Sequence, residues 1–239
     1  MNEPADFAFA SALAARFTAE RARLERAARA AGRDPNDVRL LAVSKKHPAS
    51  TIRAAYALGQ RDFGENYVQE LVEKAEALRD LSELRWHLIG HLQSNKAKSV
   101  APFVHSVQSV SSVALVTELG KRVRTRRPTE LGPLDVLIEV NVGDEASKSG
   151  CCIELTREVA DAIDAEEGLR LRGLMTIPPA NDDASASRPF FDILHRLRNE
   201  LGGAARLPEL SMGMSHDADI AIAAGATCVR IGTALFGSR

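Results

Sequence analysis

Two lysines end an apolar run in the segment LLAVSKKHP, residues 40–48. Burying an ammonium is costly unless it is paired or gives up its proton, so Lys45 and Lys46 stand out as amines with chemistry to do. A neutral lysine attacks an aldehyde to give an imine, and a desolvated pocket with other cations nearby supplies that neutral form. Towards the C-terminus, SMGMSHDAD (211–219) joins a glycine that relaxes the backbone, Gly213, to the hydroxyls of Ser211 and Ser215. N–H groups opening the helix behind it favour a negative charge. RIGT, with Gly232 and Thr233, offers a second set of the same kind. An amine beside a phosphate cradle is the chemistry these pieces describe. The cradles read equally well as turns and helix caps, a single lysine is more often a solvated surface group, and parity does not say which of the two lysines would react.

Three other constellations fail on their spacing. His87 and His91 stand four apart like a zinc-binding pair, but Leu88 replaces the required glutamate and the segment reads as strand. GDEASKSG (143–150) has a serine where a phosphate loop needs glycine before the lysine, and is one residue short. Arg126 and Arg127 precede Pro128 without interleaved aromatics, which fits a solvated helix end better than a nucleic-acid contact. Cys151, Cys152 and Cys228 offer no CxxC and read as small unpaired hydrophobes.

The elements that must position the lysine follow from a regular alternation. Eight runs of strand type, at 38–44, 61–66, 85–92, 104–110, 134–142, 169–177, 208–214 and 227–237, are separated by helical segments. Such alternation gives right-handed parallel units, and eight of them fit a closed (β/α)8 TIM-type barrel better than an open sheet. The runs are mostly apolar, as strands covered on both faces are. Residues 1–32 form an additional N-terminal helix, whose Phe9, Leu13, Phe17 and Leu24 make a stripe for packing on the barrel. No linker divides the chain, so 1–239 reads as one domain. In such barrels the loops after the strands build the site, which would gather Ser44, Lys45, Lys46, Glu65, Asn66, His91, Gln93, Asn141, Met175, Thr176, residues 211–215, Gly232 and Thr233 at one mouth.

Of 239 residues, 45% are hydrophobic and 26% charged, with a net charge of −1. A nucleic-acid binder usually carries a basic excess, and no stretch approaches the roughly 20 apolar residues of a membrane span. The N-terminus lacks the apolar run of a secretory signal, so the chain reads as cytoplasmic.

Six segments are more specific than any of these features: LLAVSKKHP, FGENYVQE (63–70), WHLIGHLQSNK (86–96), EVNVGDEASKSG (139–150), GLMTIPP (173–179) and SMGMSHDADIAIAAGATCVRIGTALFG (211–237). On these, in this order, the chain resembles the pyridoxal phosphate homeostasis protein family. The resemblance implies a barrel like the N-terminal domain of alanine racemase, binding pyridoxal 5′-phosphate (PLP) as a Schiff base. It assigns that bond to Lys45, the residue directly after AVS, with Asn66 and Met175 beside the ring. Ser211, Met212, Gly232 and Thr233 are assigned to the phosphate, and Arg230 to the pyridine nitrogen. Departures from the family pattern are small, Leu88 where phenylalanine is usual being one.

An arginine at the ring nitrogen disfavours its protonation and weakens the ring as an electron sink. The resemblance therefore favours a protein of intracellular PLP homeostasis that holds the cofactor without turnover. PLP-dependent apoenzymes are its candidate recipients and a monomer its default state. The rival is a PLP-dependent amino-acid racemase. Racemases of this fold pair the lysine with a tyrosine from a second domain, and here the chain stops just past strand 8 with only Tyr56 and Tyr67. A cofactor-free Schiff-base aldolase suits the lysine but not the six segments.

Overall fold

The computed structural model describes residues 3–145 and 149–237. Its strands are β1 (Arg39–Val43), β2 (Asp62–Glu65), β3 (Arg85–Leu88), β4 (Ser106–Val110), β5 (Leu134–Glu139), β6 (Leu169–Met175), β7 (Glu209–Met214) and β8 (Cys228–Ile231). Each lies within one of the eight expected runs. All neighbours are parallel, and β8 returns to β1 with Leu41 opposite Arg230, which closes the barrel. This is the (β/α)8 architecture the alternation implied.

The helices are α1 (Glu3–Ala30), α2 (Ala49–Ala57), α3 (Val68–Ala77), α4 (Ala97–Val100), α5 (Val113–Arg126), α6 (Thr156–Asp164), α7 (Arg188–Glu200), α8 (Gly203–Arg206), α9 (Ala218–Ala223) and α10 (Thr233–Phe236). Their apolar faces make the main core. On α6, Val159, Ala160 and Ile163 recur at helical spacing and are buried, and on α5 the Ser112 side chain caps the first turn by accepting from Leu115 N–H. Arg127, expected at a solvated helix end, instead donates to the carbonyls of Ala101, Val104 and Gly132.

Helix α1 packs along α9 and α10 with Leu13, Phe17 and Leu24 buried. Phe9, the first residue of the expected stripe, is 41% exposed; burial begins one turn later. Arg16 Nε donates to Leu235 O at 2.8 Å, and Arg23 Nη1 to Ser215 O at 2.9 Å, so α1 also anchors α10 and the loop after β7.

The apolar runs hide a division that composition does not reveal. Most core residues lie between strands and helices, whereas Leu41, Val43, Ile89 and Cys228 form a small separate cluster. By strand alternation these four point into the ring, together with Arg230. Much of the remaining interior is polar. At the N-terminal ends of the strands, Asp62 pairs with Arg85 and Asp135 with Arg170 between neighbouring strands, and Arg39 of β1 with Glu209 of β7 across β8, around the barrel floor.

Candidate functional site

The loops after β1, β2, β7 and β8 open onto one cavity of about 350 Å³ at the C-terminal end of the barrel. Lys45, Asn66, Arg230, Gly232 and Thr233 line it. Lys45 follows Val43 by two residues, and both reach the cavity, as alternation along β1 requires. Lys46 falls on the other side of the chain and is exposed. Structure therefore separates the two lysines that the sequence could not.

Asn66 comes to the wall at the end of β2. Its Oδ1 is buried and has no hydrogen-bond partner among the described residues. A Cβ at Gly90 would stand 2.2 Å from the Asn66 carbonyl oxygen and 2.7 Å from its Cα. Only a glycine lets the chain leaving β3 lie so close, and that contact fixes where Asn66 sits.

Arg230 forms the buried side of the cavity. Its Nη1 donates to the carbonyl and hydroxyl of Ser211 at 2.7 and 2.9 Å, and its Nη2 to the carbonyl of Thr176 at 2.8 Å. Burial pulls the guanidinium below its usual range, with Cys228, Glu139 and Asp217 opposing. Glu139, also inside the barrel, is pushed up to about 7 by burial, which Arg230 only partly offsets. Its Oε2 has no hydrogen-bond partner among the described residues.

Met175, Ser211 and Met212 are fully buried and lie outside the cavity lining. Ser211 serves Arg230 on one side and donates to Gln108 Oε1 at 2.7 Å on the other. Met212 belongs to the core between sheet and helices. Beyond Ser211 the strand bulges: Ser211 pairs with Cys228 but Met214 with Arg230, three steps of β7 against two of β8. Gly213, at φ 91°, absorbs the extra residue. Past the bulge the facing parity reverses, and Met214, Ser215 and His216 reach the cavity instead. Met214 N–H is held by Asp217 Oδ1 at 2.7 Å. Val43, Ile89 and Ile177 complete an apolar wall that parity along β1 and the run after β3 could have suggested.

Other expected members of the mouth go elsewhere. Glu65 points outwards to Lys74, His91 and Gln93 are exposed, Thr176 Oγ1 donates to Val140 O, and Asn141 Nδ2 donates to Glu145 O. The phosphate-loop decoy at 143–150 lies partly outside the described residues.

His87, the first of the histidine pair, sits at the opposite end of the barrel. Its Nδ1 is 2.7 Å from Ser106 Oγ and its Nε2 2.9 Å from Asp62 Oδ1, the residue types of a hydrolytic triad but on the opposite ring nitrogens. All three are 5% exposed or less and none borders the cavity described above, so the serine has no route to a substrate. No cluster of histidine, cysteine and carboxylate able to hold a metal occurs among the described residues.

Comparison with known proteins places this geometry. Residues 17–239 match the family model for the alanine racemase N-terminal domain. A pyridoxal phosphate homeostasis protein of Pseudomonas aeruginosa is 49% identical over 218 residues, covering 91% of this chain and 92% of its own length. Its Escherichia coli K12 counterpart is 44% identical over 225 residues, covering 92% and 93%. PipY of Synechococcus elongatus, solved with PLP bound, superposes with a TM-score of 0.80 at 36% identity, over 94% of this chain and 100% of PipY. An alanine racemase from Corynebacterium glutamicum shares the fold, with a TM-score of 0.65 at 17% identity, over 96% of this chain and 61% of the racemase. The chain belongs to the alanine racemase N-terminal domain family and, within it, to the pyridoxal phosphate homeostasis proteins.

Proposed function

We propose that this protein binds PLP, holds it on Lys45 as a Schiff base, and buffers or passes it on without turning over a substrate. One observation carries the reading: the half-buried Lys45 shares a single cavity with Arg230, Gly232 and Thr233. The names of the relatives and the PLP bound by PipY support it.

The residues present fit the group. A cavity of about 350 Å³ suits a small aromatic phosphate. Asn66 Oδ1, without a hydrogen-bond partner among the described residues, offers an acceptor on its wall, and Gly232 leaves bare backbone there, since a Cβ would come within 3.3 Å of Val43 O. When bound, PLP supplies an aldehyde and an electron-poor ring. Lys45 would hold the group through its Nζ. Gly232 and Thr233 receive the phosphate. Met175, Ser211 and Met212, being fully buried, act from behind the wall, Ser211 through Arg230. Arg230 keeps a positive charge at the ring-nitrogen end, which discourages proton abstraction at a substrate carbon. Val43, Ile89 and Ile177 restrict water.

A racemase would need a second base. Tyr56 donates to Glu83 Oε2 and lies under Arg61, Tyr67 is 54% exposed, and neither lines the cavity. We assign the protein to the cytoplasm as a one-domain monomer that gives PLP to apoenzymes. Among the described residues no helix is long and apolar enough to cross a membrane. Titration of PLP-free protein with PLP should raise a visible imine band that Lys45→Ala lacks; a wild-type protein that stays colourless would reject the reading.

A further inference from the structure

Residues next to the cavity-lining Lys45 and Asn66 point the other way, towards α3. There the ammonium of Lys74, only 6% exposed, meets three acceptors: the Ser44 carbonyl, Glu65 Oε1 and Glu70 Oε1, each at 2.7 Å. These use all three of its protons. Ser44 Oγ donates to the same Glu65 oxygen at 2.6 Å, and Ser44 N–H to Gly64 O at 3.0 Å. On the far side of Lys45, Lys46 N–H donates to Glu70 Oε1 and His47 N–H to Ser44 O. Lys46 is held in the left-handed region, φ 64°, which costs a non-glycine residue about 1 kcal/mol or more. The backbone is thus gripped on both sides of Lys45 and tied to the strand that carries Asn66.

Stability alone does not account for a charge at this position. A buried ion pair contributes little compared with apolar groups of the same volume. What an ammonium does here, and a methyl could not, is hold the Ser44 carbonyl and the two carboxylates at one point. We propose that Lys74 is a positioning residue: a second, buried lysine that sets the turn from which Lys45 attacks and locks it to the Asn66 strand. This rests on the assignment of Lys45 as the PLP-binding amine.

The test is stopped-flow mixing of PLP-free full-length protein with PLP over a range of concentrations. It separates the affinity of the first encounter from the rate of C=N formation. The variant is Lys74→Met combined with Glu65→Gln, so that neither charge is left buried alone; Glu70, with its side chain 23% exposed, reaches water. Because the phosphate end of the cavity is untouched, encounter affinity should stay within about twofold, while C=N formation slows by at least about tenfold, as expected for a displaced reacting group. Hydrogen exchange at the Lys46 amide should rise in parallel. A condensation rate within about twofold of wild type overturns the inference, and so does an equal fall in both constants, which marks general loss of structure. Wild-type protein that forms no reducible adduct overturns the Lys45 assignment itself, and this inference with it.

Discussion

Arg230 donates two hydrogen bonds to Ser211, one to its carbonyl and one to its hydroxyl, across the bulged β7–β8 pair. With the third bond to Thr176 O, a single guanidinium ties the ends of three strands under the cavity floor. Arg230→Met keeps much of the volume but leaves the buried Thr176 carbonyl without this donor, at about 1–3 kcal/mol, and the Ser211 carbonyl with Thr176 N–H as its remaining donor. Calorimetry should show a melting temperature lower by roughly 5–10 °C. A shift below about 1 °C would mean that other groups satisfy the Thr176 carbonyl.

Two buried groups give stability opposite dependences on pH. Glu139 is raised from 4.5 to about 7, so its protonated form is the one the fold accepts. Its contribution is complete below 4.5 and is lost as pH rises through about 7. His87 is lowered from 6.5 to about 4 by burial, with Asp62 opposing, so its contribution is complete above 6.5 and is lost as pH falls towards 4. Urea unfolding across this range should find Glu139→Gln more stable than wild type above neutrality, by on the order of 2 kcal/mol. His87→Gln should flatten the acidic side. Curves parallel to wild type in both variants would contradict the assignment of these two groups.

Gly90 tests whether the placement of Asn66 matters. A methyl there cannot coexist with the Asn66 carbonyl at 2.2 Å, so Gly90→Ala must push the β2 and β3 loops apart, at a cost of about 1–3 kcal/mol. Equilibrium dialysis should show weaker PLP binding, by about tenfold for each 1.4 kcal/mol of lost interaction. Unchanged affinity would remove Asn66 from the site.

Carrier and racemase differ at the substrate carbon. PLP-loaded protein incubated with amino acids in D₂O should show no sustained deuterium exchange at Cα by NMR. Exchange accompanied by racemisation would establish turnover.

Much of this was legible in the chain because barrel units repeat: each β run followed by an amphipathic helix is a local pattern, and the loops after the strands are a general address for a site. The choice between Lys45 and Lys46 needed the resemblance, since parity is useful only once the strand's inward face is known. Met214 facing the cavity was not legible, because the bulge at Gly213 shifts the count by one beyond Met212 and bulges leave only a glycine as their signature. The grip of Lys74 on Ser44 joins residues 30 apart in sequence, and the Ser211 bond to Gln108 spans 103. No local pattern encodes such pairs. Nor did the apolar look of the strands reveal that Glu139 and Arg230 share the interior, because alternation concentrates the few inward polar residues in one place.

Borohydride reduction of the PLP-loaded full-length protein, followed by peptide mass mapping, asks directly which amine holds the cofactor. The account predicts a phosphopyridoxyl group on the peptide at Lys45, with none on Lys46 or Lys74, and loss of that adduct in Lys45→Ala. Label on another lysine, or no label on a protein that still binds PLP, would contradict it.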